Sequence, residues 1–238
     1  MSEPSRILLV HGAWGRADSW RGVARLLSRK GHDVTALNLP GHGDDPTPPE
    51  TVGLADYAAR IVEELEKGPP ALLVGHSMGG MAISAAAELA PGHIRKLVYL
   101  CAFLPRDGDS LLSLKKRETP TIGDAVRPGP AKGTTVLDPA LAVGFLCHDA
   151  SDAAKRQVQE GLGPQSNKAQ TDPVHLTEAR FGTVPRVYIV CEDDRTITPA
   201  LQRAMATETP CAQVLSLPTG HLPQITAPIA VAELLDAL

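Results

Sequence analysis

Three residue types that together turn an alcohol into a nucleophile occur in this chain, far apart and in a telling order. Ser77 sits in Gly75-His76-Ser77-Met78-Gly79, an acidic pair Asp193-Asp194 follows much later, and His221 comes after Gly220 near the end. A serine hydroxyl near neutral pH is a poor nucleophile and needs a base within hydrogen-bond reach. That base needs an anion to fix its tautomer and stabilise its cation. The chemistry these types could perform is acyl transfer, with either aspartate as the orienting acid.

A serine can fall in a glycine-rich turn by chance. Here an apolar run, Ala71 to Val74, reads as a buried strand before the pentapeptide, and a stretch of small residues after it reads as a helix. G-x-S-x-G between strand and helix predicts a sharp, strained turn that lifts the serine hydroxyl above the sheet edge. Gly75 and Gly79 are expected there because a Cβ at either position would crowd the turn.

Eight histidines are available. His11 directly follows a strand-like run and is expected to shape the adjoining loop. His42 belongs to a Pro-Gly-His-Gly turn, and the His76 side chain is expected to point away from the serine. His32 and His93 lie at helix–strand junctions; His148 and His175 lie in an irregular middle segment. Only His221 ends a last strand after the acidic loop. Acyl transfer also needs donors for the developing oxyanion. The backbone N–H groups of Met78, next to the nucleophile, and of Ala13, in His11-Gly12-Ala13, are the expected pair.

The elements that must bring these residues together alternate. Strand-like runs at Ile7–Val10, Asp33–Leu39, Ala71–Val74, Ile94–Phe103, Arg186–Cys191 and Ala212–Leu217 are separated by helical patterns. The first helix is expected to be capped by Asp18 or Ser19, and Thr198-Pro199 to open a later one. This rhythm predicts an α/β fold, a mainly parallel sheet of about six strands covered by helices on both faces. Chemistry then gathers beyond the carboxyl ends of the strands. From residue 105 to 183 the rhythm breaks into scattered prolines and short helical patterns near 137–146 and 152–162. The expectation is a core of residues 1–104 and 184–238 with a cap inserted at 105–183.

Composition narrows the function class. The 238 residues carry a net charge of -4, which leaves no basic footprint for nucleic acid. No run could span a bilayer, and no secretory signal is read before the short apolar run at Ile7. Cys101, Cys147, Cys191 and Cys211 are far apart without metal-ligand spacing, which fits a cytoplasmic chain with reduced thiols. Neither a metal nor an organic cofactor is expected. The expected partner is a small-molecule ester, and a homodimer is left open.

With these residues assembled, the chain resembles the α/β-hydrolase superfamily along its length, and within it the group of plant methyl esterases and hydroxynitrile lyases. The matching pieces are Leu8 to Trp14, Gly75 to Ala82 and Val187 to Ile197. The resemblance implies that Asp194 is the acid of the triad, with Asp193 as the fallback. It also separates two reactions. The lyases carry a Thr where this chain is expected to place Gly12, and a Lys after the catalytic histidine, where this chain has Leu222. Hydrolysis of carboxylic esters of small, largely apolar substrates through an acyl-enzyme is therefore the expected activity, with hydroxynitrile lyase-like cleavage or a slow-turnover ligand sensor on the same fold as the alternatives. Gly12, Leu104, Leu111, Leu114, Leu146, Phe181 and Leu222 are the expected substrate-binding residues.

Overall fold

The computed structural model describes residues 4–118 and 121–238. The first three residues of the expected core and residues 119–120 of the expected cap lie outside the described residues. In chain order the core begins with β1 (Arg6–Val10), α1 (Arg21–Arg29), β2 (Asp33–Leu37), α2 (Leu54–Leu65), β3 (Ala71–His76), α3 (Gly79–Leu89) and β4 (Ile94–Leu100). A long segment follows with α4 (Leu111–Lys115), β5 (Val126–Pro128), β6 (Thr134–Leu137), α5 (Pro139–Leu146), α6 (Asp152–Gly161), β7 (Gln165–Ser166) and α7 (Asn167–Thr171). The core resumes with β8 (Arg186–Cys191), α8 (Pro199–Glu208), β9 (Gln213–Leu217), α9 (Pro223–Thr226) and α10 (Pro228–Asp236).

Six strands form one parallel sheet in the order β2-β1-β3-β4-β8-β9. Every residue of β1 and β3 is buried, as expected for central strands covered on both faces, whereas the edge strands β2 and β9 are partly open. Alternation along β1 sorts the two halves of the core. Leu8 and Val10 join a cluster with Tyr57, Ile61 and Leu65 of α2 and Ala82, Ile83 and Ala86 of α3. Ile7 and Leu9 face the other way, toward Trp20, Val23, Leu27, Val231 and Leu235. Burying a side chain of this size contributes roughly 1.5–3 kcal/mol, so the sheet and its two helical layers are held mainly by apolar burial.

Several boundaries differ from the sequence expectation for identifiable reasons. The second strand stops at Leu37, not Leu39, because the Leu39 N–H leaves the ladder and donates to His11 Nε2 at 3.2 Å. The fourth strand stops at Leu100, because Cys101 turns to a φ of 37°. Neither Asp18 nor Ser19 caps α1; a 3-10 turn, Ala17–Trp20, leads into it. Thr198 does cap α8, accepting from the Leu201 N–H.

The segment between β4 and β8 contains a small antiparallel sheet, β5-β6-β7, that the sequence pattern does not announce. It has its own apolar cluster, including Ile122, Leu137, Leu146 and Val158, joined to the core through Trp14 and Leu222.

The small residues of α3 let its backbone come close to the chain after β4. A Cβ on Gly80 would collide with the Phe103 carbonyl oxygen and meet the Ala102 Cβ at 3.0 Å. Gly80→Ala should therefore lose about 1–3 kcal/mol by overpacking, although helix propensity alone favours alanine by about 1 kcal/mol. Urea unfolding of the two proteins measures which effect wins.

Candidate active site

Ser77 follows β3 with a φ of 54°, a left-handed backbone that non-glycine residues seldom adopt. Its carbonyl accepts from the Phe103 N–H at 3.0 Å and the Gly80 N–H at 3.1 Å, which pins the turn from both sides. The flanking glycines are needed for space. A Cβ on Gly75 would lie 2.8 Å from the backbone of Gly79, and one on Gly79 would lie 2.8 Å from the His11 carbonyl oxygen.

His221, in the loop after β9, places Nε2 3.0 Å from Ser77 Oγ and Nδ1 2.7 Å from Asp194 Oδ2. Of the two candidate acids, Asp194 is buried and reaches the imidazole, whereas Asp193 is exposed. The Asp194 carboxylate is fully engaged. Oδ1 accepts from the backbone N–H groups of Thr196 and Ile197 at 2.7 and 2.9 Å, and Oδ2 accepts from Gln202 Nε2 at 3.0 Å. Gln202 also bonds the Cys191 N–H and the Ile197 carbonyl, so it braces the whole acidic loop. Sequence reasoning missed it, because a glutamine on a helix carries no signal of facing inward.

The Gly12–Ala13 peptide is oriented by its neighbours. His11 Nε2 accepts from Leu39, so Nδ1 carries the proton and donates to the Gly12 carbonyl at 2.8 Å. The Gly15 N–H donates to the same oxygen. No cis peptide is present among the described residues. In a trans peptide the C=O and N–H point in opposite directions, so the Ala13 N–H faces away from His11. Among the described residues no acceptor meets the N–H of Ala13 or of Met78. Gly12 packs directly under the serine: a Cβ there would lie 2.7 Å from Ser77 Cβ.

The His76 ring does not point away from the site. It lies 4.8 Å, centroid to centroid, from the His221 ring, and its Nε2–H donates to the His221 carbonyl at 2.7 Å. The Cys101 thiol donates to the same carbonyl at 3.4 Å. His76, Cys101 and His221 form the only cluster with metal-ligand potential among the described residues, their ligand atoms within 4.8 Å of one another. His76 Nε2 and the Cys101 thiol are engaged with the His221 carbonyl, and both ring nitrogens of His221 with Asp194 and Ser77.

Two cavities meet at Ser77. The larger, about 320 Å³, is bordered by Gly12, Ala13, His76, His221 and the apolar side chains of Leu146, Val158, Leu162 and Leu222, among others. The smaller, about 20 Å³, is bordered by Met78, Phe103, Leu111 and Ile122. Of the expected substrate-binding residues, Gly12, Leu146 and Leu222 thus border the large cavity and Leu111 the small one. Leu104, Leu114 and Phe181 border neither; they are buried in the main core cluster, where apolar side chains near β4 and β8 find more contact than a cavity wall offers. Two further residues went unnoticed in the sequence. Gln224 borders the large cavity while its amide nitrogen and oxygen, both buried, have no partner among the described residues. Lys115 borders the small cavity, and burial lowers its ammonium pKa.

Burial holds the surrounding imidazoles neutral. His11 is pushed down to about 3 by burial and then by the nearby His42. His76 lies well below its usual value through burial and then the facing His221, and His42 is lowered chiefly by burial. The facing His76 ring therefore places no positive charge beside His221. The same burial has a cost in acid. A histidine held neutral in the fold but free to take a proton below 6.5 when unfolded destabilises the fold as pH falls. For His11 the window runs from 6.5 down to about 3, and His76 acts in the same direction. Between pH 6.5 and 5, His11 alone should cost about 2 kcal/mol. The urea midpoint is expected to be lower at pH 5 than at pH 7, with a shallower dependence in His11→Gln. An unchanged slope in that variant would contradict the assignment.

Comparison with known proteins places this geometry. Residues 7–234 match the model of the alpha/beta hydrolase family. The chain is similar to Methylesterase 7 of Arabidopsis thaliana, 27% identical over 97% of this chain and 94% of that one. It is similar to a pyrethroid hydrolase of Sphingobium wenxiniae, 30% identical over 95% of this chain and 85% of that one. Among solved structures, a pyrethroid hydrolase from Sphingobium faniae superposes with a TM-score of 0.85 at 27% identity, covering 98% of this chain and 96% of the other. With the family match spanning nearly every residue and the strand order that of the fold, the chain belongs to the alpha/beta hydrolase family.

Proposed function

We propose that the protein is a serine hydrolase of carboxylic esters, working through an acyl-enzyme at Ser77. The observation that carries this reading is the continuous bonded line from Asp194 through His221 to Ser77, at 2.7 and 3.0 Å. The names of its relatives, a methylesterase and a pyrethroid hydrolase, support the same reaction class.

In the proposed cycle His221 Nε2 takes the Ser77 proton as Oγ attacks the ester carbonyl. The carbonyl oxygen becomes an oxyanion held by the Met78 and Ala13 N–H groups, which lack other acceptors among the described residues. Donors of this kind typically stabilise the transition state by ~2.7–4 kcal/mol each. His221 then hands its proton to the leaving alkoxy oxygen, the carbonyl reforms, and the alcohol departs. A water, deprotonated by the same imidazole, attacks the acyl-enzyme and releases the acid. Asp194 keeps the Nδ1–H tautomer throughout and balances the imidazolium. Residues 105–183 serve in this scheme as the cap, since α5 and α6 supply Leu146 and Val158 to the cavity wall. No step calls on a metal or an organic cofactor.

Gly12 favours hydrolysis over cyanohydrin cleavage. A threonine there would drive its Cβ within 2.7 Å of Ser77 Cβ and 3.0 Å of His76 Nδ1, so the loop is built for a residue without a side chain. Leu222 likewise puts no ammonium after the base. No helix among the described residues is long and apolar enough to cross a membrane; the four unpaired thiols support a reducing, cytoplasmic setting.

p-Nitrophenyl acetate tests the proposal. The wild-type protein should hydrolyse it, with Ser77→Ala lowering kcat by a factor on the order of 10⁶ and Asp194→Asn by roughly 10⁴. Hydrolysis that persists at the wild-type rate in Ser77→Ala would rule the scheme out.

A further inference from the structure

We infer that the two cavities fix the direction in which an ester lies, with a short acyl group in the small one and a bulky, largely apolar alcohol in the large one. This rests on the esterase reading and narrows it to a substrate class.

The cavities share Ala13, Trp14, Ser77 and Thr196, so both open on the nucleophile. They differ in what else they carry. His221 borders only the large cavity; Met78, the oxyanion donor beside the serine, borders only the small one. Around the carbon of the tetrahedral intermediate stand Ser77 Oγ, the oxyanion, the acyl carbon and the alkoxy oxygen. Collapse breaks the bond from carbon to the alkoxy oxygen, whose electron pair stays on that oxygen. The oxyanion's pair reforms the carbonyl, and the proton that completes the alcohol comes from His221 Nε2. The alkoxy oxygen must therefore sit within hydrogen-bond reach of His221, on the side of the large cavity. The acyl carbon is left to point the other way, between Met78, Phe103 and Leu111.

Size then sets the class. About 20 Å³ is room for roughly one methyl-sized group, which admits an acetyl but not an aryl acyl chain. About 320 Å³ falls at the lower end of small-molecule sites and accommodates a single-ring alcohol. Leu146, Val158, Leu162, Leu222 and Ile225 on its walls suit an apolar body, although Arg16, Asp18, Arg21 and Glu160 also border it. The orientation is the reverse of that for a methyl ester of a large acid.

Two isomeric esters of equal composition test this. Phenethyl acetate has the short acyl group and bulky alcohol; methyl 3-phenylpropanoate has the same atoms reversed. Acid release at constant pH should give a kcat/KM at least about tenfold higher for phenethyl acetate, the scale on which apolar pockets discriminate. Leu162→Trp, filling the large cavity, should lower kcat/KM for phenethyl acetate relative to methyl acetate. Leu111→Ala, enlarging the small one, should raise methyl 3-phenylpropanoate relative to phenethyl acetate. Equal or reversed preference in the wild-type protein overturns the inference, as does Leu162→Trp depressing methyl 3-phenylpropanoate instead. The esterase reading stands apart from this outcome: it fails only if p-nitrophenyl acetate hydrolysis survives Ser77→Ala.

Discussion

The left-handed backbone of Ser77 is the constraint around which the other features are arranged. A non-glycine residue in that region costs on the order of 1–3 kcal/mol, and it persists only where the surroundings over-determine it. Here the surroundings do so. The Ser77 N–H reaches the Leu100 carbonyl, its own carbonyl takes two N–H groups, and Gly12, Gly75 and Gly79 clear the space that side chains would fill. Trp14 and Cys101 are the other two non-glycine residues with positive φ among the described residues, and they follow β1 and β4, the strands flanking β3. Strain is thus concentrated where three adjacent strands end. The apolar burial of the sheet beneath supplies the stability that offsets it.

Once that turn is set, the polar groups around it need little rearrangement to follow a reaction. Asp194 has four donors and no freedom to rotate toward solvent. The backbone of His221 is fixed through its carbonyl by His76 and Cys101, while its ring is fixed by Asp194. His11 turns the Gly12–Ala13 peptide so that the N–H, not the carbonyl, faces away from the core. Dipoles placed beforehand in a buried site act more strongly than the same dipoles in water, where solvent would have to reorient. The buried imidazoles of His11, His42 and His76, held neutral, add no positive charge around His221.

How much of this could be read from residues alone follows from the physics of each feature. Ser77, Gly75 and Gly79 were legible because a tight strand-to-helix turn demands those types at that spacing. His221 and the acidic loop were legible because parallel topology carries strand ends to one rim. The acid remained divided between Asp193 and Asp194 on the residues themselves, since adjacent positions in a loop differ only in which side chain turns inward. The sheet β5-β6-β7 was illegible: strands of three, four and two residues are too short to show an alternating pattern. The direction of the His76 ring was not legible, because the carbonyl that captures it belongs to His221, far away in sequence. Leu104, Leu114 and Phe181 illustrate a further limit. Apolar residues near a site look alike in sequence whether they fill a core or line a cavity.

The segment between β4 and β8 is bonded to the loops around Ser77 and His221 rather than resting over them. The Asp149 carboxylate takes the Gly220 N–H at 2.8 Å, one residue before His221. The Phe145 carbonyl accepts from Thr196, two residues after Asp194. Trp14, next to the Gly12–Ala13 peptide, donates to Thr135 through its indole and accepts from Gly163 through its carbonyl. Gln165 of β7 accepts from His42 Nε2, and the His42 ring lies 4.8 Å from that of His11. A change in this segment therefore reaches Asp194, His221 and the Gly12–Ala13 loop by short hydrogen-bonded routes. The walls of α5 and α6 can vary the cavity's shape only through substitutions that leave those ties in place. Side chains such as Val158 and Leu162 border the cavity and take no part in those ties, so substitutions there reshape the cavity while the hydrogen bonds stay in place.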